Sequence, residues 1–212
     1  MFFSGDAGGN VVDIGGRLAR GRYPEIVEVE AYWNALRGSR LVPGRLEIDP
    51  RGIEGALACA FIVERIAPGV ARVRLAGSQV NDLMGMDLRG MPLSALIAPQ
   101  HRKRCADYLD ELFCAPARLT MDLSAERALG KPRCDGRMVL LPLTDGENRI
   151  TRALGVLPIT GAVGRAPRRF TLQAQRLAPL TGATLLRQAT PPPRPAQDTP
   201  RPPHLRLVTT GD

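Results

Sequence analysis

Gly77, Gly85, Gly90 and Pro92 interrupt segment 77–98, and no other feature constrains the fold as much. Glycine and proline inside a helix cost about 1 and about 3 kcal/mol relative to alanine, so one long helix is excluded there. The segment is nonetheless rich in apolar side chains: Val80, Leu83, Met84, Met86, Leu88, Met91, Leu93 and Leu96. Short helical pieces carrying that many apolar groups must cover something. A ligand cavity, a phosphate or an ordinary core would each serve. The phosphate cradle fits poorly, because the glycine spacing matches neither GxGxxG nor GxxxxGK[ST].

The flanks say what is covered. Upstream, "ACAFIVERI" and "GVARVRLAG" read as two strands joined at Ala67-Pro68-Gly69, a hairpin break. Val73, Leu75 and Gly77 alternate with Arg72, Arg74 and Ala76, which places Leu75 on the inward face with Val73. Downstream, "PQHRKRCADYLDELF" is helical from Pro99, with Cys105, Tyr108, Leu109 and Leu112 on one face. Three more strands follow: "ARLTMDLSAE", the almost wholly apolar "GRMVLLPLT", and "ITRALGVLPIT" after an Asp145–Asn148 turn.

Ahead of the hairpin, "PEIVEVEAYWNALRGSR" predicts a helix with Pro24 in its first turn and Gly38 as its cap. Ile26, Val29, Trp33 and Leu36 form an apolar stripe that must bury against the domain's own sheet or the same helix of a second chain. Asp49-Pro50 predicts the start of a short helix reaching Leu57. The expected organisation is a loose 1–23, a body over 24–160 and a basic, Pro-rich tail over 161–212. "RRFTLQAQRLAPL" could add one strand outside the main fold, and "HLRLV" at 204–208 is an apolar island that could dock on a sheet edge.

Charge supports that division. The chain of 212 residues carries a net charge of +8, and residues 161–212 hold eight arginines against Asp198 and Asp212. The body is close to neutral, so it lacks the basic face a nucleic-acid groove needs. No apolar run approaches the roughly 20 residues that span a bilayer. The start has no signal-peptide pattern, and the expected location is cytoplasmic. Cys59, Cys105, Cys114 and Cys134 form no CxxC pair, and Cys59 and Cys105 sit among apolar neighbours as small hydrophobes.

Tyr32-Trp33, Ile48-Asp49-Pro50, Arg74-Leu75-Ala76-Gly77, Gly85, "LRGMPLSAL" and the helix from Pro99 occur in that order. Together they resemble the PAS sensory domain, in particular a bacterial, alphaproteobacterial-type group of stand-alone PAS proteins. The resemblance covers roughly residues 25–160. It implies an α+β fold: a five-stranded antiparallel sheet with helices over one face, preceded by an amphipathic N-terminal helix. It also implies a cavity between sheet and lid, walled by Phe61, Val63, Leu75, Val80, Leu83, Met84, Met86, Leu88, Leu96, Leu109 and Leu140. The helix with Ile26, Val29, Trp33 and Leu36 is then expected to serve a homodimer or another signalling partner.

No catalytic set and no metal set is legible. The chain has two histidines, and neither GxSxG nor HExxH occurs. Asp122 and Ser124 fall on one strand face without a third partner, and Asp49 reads as a helix cap. Flavin-adduct PAS relatives carry a cysteine where this chain has Asn81-Asp82-Leu83, so that photochemistry is not expected. Haem-binding relatives use a histidine on the long helix. Here His101 precedes Arg102, Lys103 and Arg104, which places it on a solvated turn and not over an apolar pocket. The expected function is a non-enzymatic sensory module binding a small apolar ligand or protein partners. Two rivals remain: a regulator that binds nucleic acid through the Arg tail, and a small-molecule enzyme on a similar α+β cone.

Overall fold

A computed structural model describes residues 22–180. Helix α1 spans Pro24–Arg37 and is followed by 3-10 turns at Arg45–Glu47 and Pro50–Cys59, the latter kinked at Ile53. The hairpin strands are β1, Ala60–Ala67, and β2, Val70–Ala76. Between the two groups of strands lie α2 (Ser78–Met84), 3-10 turns at Leu93–Leu96 and Pro99–His101, and α3 (Arg102–Cys114). Then come β3 (Ala117–Ala125), β4 (Cys134–Thr144), β5 (Ile150–Val156), the short β6 (Ile159–Gly161) and β7 (Phe170–Pro179).

Both groups of strands share one antiparallel sheet, in the order β2-β1-β5-β4-β3-β7, with β6 beside β4. The expected five strands are contiguous in it, from β2 at one edge to β3. β7 lies against β3 from Ala117↔Pro179 to Ala125↔Phe170, inside the sheet and not as a separate extension. The reason is burial. Leu119, Met121 and Leu123 of β3 are buried on one face, and Phe170 and Leu172 of β7 continue that apolar surface.

β4 explains its own composition. Met138 and Leu140 face the core beneath α2 and α3, while Val139, Leu141 and Leu143 face a second core on the other side. A strand buried on both faces needs apolar residues at every position. α1 covers that second face. Ile26, Val29 and Trp33 are buried there against Ile62, Val139, Leu141, Leu154 and Val156. The Trp33 indole N–H donates to the Pro142 carbonyl at 2.9 Å. The Tyr32 ring turns the other way, covering Gly52, while its hydroxyl accepts from the Asp49 amide at 2.6 Å. Helices therefore cover both faces of the sheet, and the α1 stripe is consumed within its own chain. The expected partner face formed by Ile26, Val29 and Trp33 is closed off, with Leu36 half-buried at its end.

The Asp49 cap is present, its carboxylate accepting from the Arg51 amide at 3.0 Å. Gly77 at the end of β2 has a steric reason. A Cβ there would lie 2.1 Å from the Leu57 carbonyl oxygen, so only glycine lets the strand end cross the 3-10 backbone.

Candidate functional site: the lid and its neighbours

The lid, residues 77–98, is held at two sides. On the β2 side, the Val73 amide donates to Met91 O and the Gly90 amide to Val73 O, both at 2.8 Å. On the far side, the Arg168 amide donates to Leu83 O at 2.6 Å and the Ala98 amide to Phe170 O at 2.9 Å. Asn81 holds the turn between these anchors, its side-chain oxygen accepting from the Leu88 amide at 3.0 Å. The Gly77 amide adds a bond to Ala60 O at 2.8 Å, and the remaining backbone bonds of the segment are local.

Of the expected cavity residues, Phe61, Val63, Val80, Leu83, Leu88, Leu96, Leu109 and Leu140 come together in one buried cluster, with Met84 half-buried against it. Two do not. Leu75 is 46% exposed and Met86 is 51% exposed. The Leu75 error has a clear origin. Ile62 pairs with Leu75 but Val63 pairs with Val73, so β2 bulges at Arg74 and the alternation flips. Leu75 thus joins Ile62 on the α1 face of the sheet. Met86 follows the Gly85 turn that ends α2 and points outward.

The centre of the sheet beneath the lid is filled by the chain itself. Phe61 is 2% exposed. A Cβ on Gly155, its cross-strand neighbour, would lie 2.2 Å from the Phe61 ring. The ring thus occupies the space that a side chain at position 155 would need. Neither residue signals this alone; the pairing of β1 with β5 makes it visible.

Arg168 was also missed. It is fully buried, yet among the described residues its guanidinium pairs with no carboxylate. It donates instead to the carbonyls of Val163, Glu126 and Pro132, the last at 2.7 Å. With its own amide on Leu83, it clips the strap before β7 to the lid and to the β3–β4 loop. Burial, reinforced by Glu25, pushes Cys59 up to about 12, and burial alone does the same to Cys105, which favours the protonated thiol at both. Asp122 and Ser124 share a face, as expected. Asp122 accepts from Arg137 at 2.6 Å and the Ser124 hydroxyl donates to Asp135 at 2.8 Å, which makes them part of a surface polar network. Half-buried His101 sits at the start of α3, and among the described residues no three His, Cys, Asp or Glu side chains group as metal ligands.

Two open concavities lie on the α1 side of the sheet. One, of about 540 Å³, is lined by Arg22, Tyr23, Asp122, Asp135 and Arg137 among others. The other, of about 320 Å³, is lined by Arg45, Ile62, Glu64, Arg74, Leu75 and Arg152.

A family model for the PAS domain matches residues 22–158. The chain belongs to the PAS domain family. That match spans α1 through β5 and stops short of β6 and β7, so the strap with Arg168 lies outside it. No curated protein matches the chain. Among solved structures, the chain is similar to the light-state blue-light photoreceptor Aureochrome1 LOV domain, at 17% identity and a TM-score of 0.39, over 52% of this chain and 88% of that one. It is also similar to a light-oxygen-voltage domain studied with a flavin analogue, at 19% identity and a TM-score of 0.41, over 52% of this chain and 83% of that one. No helix among the described residues is long and apolar enough to cross a membrane.

Proposed function

We propose that the protein is a non-enzymatic, cytoplasmic sensory module that responds to a small ligand or a protein partner through its lid. One observation carries this reading: a PAS-family sheet roofed by short helical pieces whose apolar side chains are buried and whose backbone bonds are mostly local. A ligand shifts such a lid only by binding its open and closed states unequally. The half-buried methionines Met84 and Met91 suit that role, because an unbranched thioether repacks easily. Homodimerisation belongs to the same reading, through surfaces other than the buried Ile26–Trp33 stripe. A signal reaching the lid has an exit through Arg168 and Phe170 into β7 and the tail.

Native mass spectrometry and an absorption spectrum of freshly purified full-length protein test this. The expected result is a retained molecule or a homodimer, with hydrogen exchange in 77–98 changing when the molecule or partner is removed. A bare monomer whose lid exchange responds to no cell-extract fraction contradicts the reading.

A further inference from the structure

The smaller concavity combines an apolar floor with an excess of positive charge. Ile62 and Leu75 are cross-strand partners and form the floor. Glu64, two residues beyond Ile62 on β1, stands opposite Arg152 of β5. One Glu64 oxygen accepts from Arg74; the other accepts from Arg152, whose Nη2 is 3.2 Å away. A third guanidinium, that of Arg45, enters from the 3-10 turn after α1. It makes no ion pair among the described residues. Burial, and then the nearby Arg152 charge, push its pKa down.

Three guanidinium groups therefore line a cleft that holds one carboxylate, and only two of them pair with it. Like charges in a partly desolvated cleft repel, and a bound anion relieves that repulsion. Planar guanidinium forks suit carboxylate and phosphate oxygens, and Glu64 already holds two of them in place. The β2 bulge is what brings Arg74 and Leu75 to the same face, so the site depends on a feature that breaks the simple alternation of the strand.

We propose that this concavity binds a small organic anion. The carboxylate or phosphate end meets Arg45, Arg74 and Arg152, and the apolar body rests on Ile62 and Leu75. This deepens the ligand-binding reading above by naming a ligand class. It does so on the sheet face opposite the lid, so its failure and that of the lid reading are separable.

The test is calorimetric titration of the full-length protein at low salt with phenyl phosphate and benzoate, using inorganic phosphate and phenol as partial probes. At least one of the two aryl anions is expected to bind several-fold more tightly than inorganic phosphate, with phenol giving no heat. Arg45→Ala breaks no ion pair and keeps the folded spectrum. It is expected to weaken aryl-anion binding by roughly tenfold. Leu75→Glu, which adds a carboxylate at the exposed floor, is expected to abolish it. No binding of either aryl anion up to about 10 mM, or equal affinity in wild type and both variants, overturns the proposal.

Discussion

Replacing Phe61 by alanine tests whether the chain fills its own interior. The ring is 2% exposed and packs on Gly155 beneath the lid. Losing it removes transfer free energy of about 1.5–3 kcal/mol. The vacated volume, about 100 Å³, adds roughly 2 kcal/mol if the surroundings stay put, at about 24 cal/mol per Å³. Sheet strands β1 and β5 cannot move inward, but the lid can partly settle. The expected loss is therefore about 4 kcal/mol, less if the lid follows. Urea denaturation of the full chain reads this as a midpoint lower by roughly 2 M, for a slope near 2 kcal/mol/M. The new space is apolar and dry, so benzene is expected to restore stability to the variant and leave the wild type unchanged. The double variant with Gly155→Ala is expected to lose less than the sum of the single losses, because the added methyl enters the vacated space. A loss below about 1 kcal/mol, or equal stabilisation of wild type by benzene, refutes a ring-filled interior.

Arg168→Met leaves the Val163, Glu126 and Pro132 carbonyls without their buried donor. Hydrogen bonds to a charged group contribute about 1.5–3 kcal/mol each, and relief of the unpaired buried charge offsets part of that. A net loss of about 2 kcal/mol is expected in urea melts, with faster exchange confined to 126–133 and 161–170. Arg168→Lys is not expected to rescue it, since one ammonium cannot span three carbonyls. Acid stability has a defined contribution from Glu47, whose hydrogen bonds from Arg40, with a further one from the Gly44 amide, hold it at about 2 against an ordinary 4.5. A depressed carboxyl stabilises fully above its ordinary value and loses that contribution as pH falls toward its folded value. Glu47→Gln is expected to cost under about 1 kcal/mol at neutral pH, because the pair is exposed, and nothing near pH 2. Urea melts across that range check it.

Much of this fold is legible in the sequence because local signals agree with the tertiary solution. Asp49-Pro50, Gly77 and the apolar stripe of α1 each do what their chemistry predicts. The stripe misleads only about its partner: periodicity reveals that Ile26, Val29 and Trp33 are buried, not against what. Leu75 is misplaced because a bulge is a two-strand property, invisible in β2 alone. Arg168 escapes notice because a buried arginine looks like any other in an Arg-rich tail. β7 reads as peripheral because only Phe170 and Leu172 are buried in a strand that otherwise mixes polar and small or half-buried apolar residues. The 320 Å³ concavity draws Arg45, Arg74 and Arg152 from three separate elements, and no linear pattern connects them.

Native-state hydrogen exchange of the full-length protein tests the central claim most directly, that a pliable lid rests on a rigid sheet. Amides bonded within and around 77–98 are expected to exchange through a local opening well below the global unfolding free energy, while those of β4 and β5 exchange only with global unfolding. Lid amides as protected as β4 and β5 would contradict it.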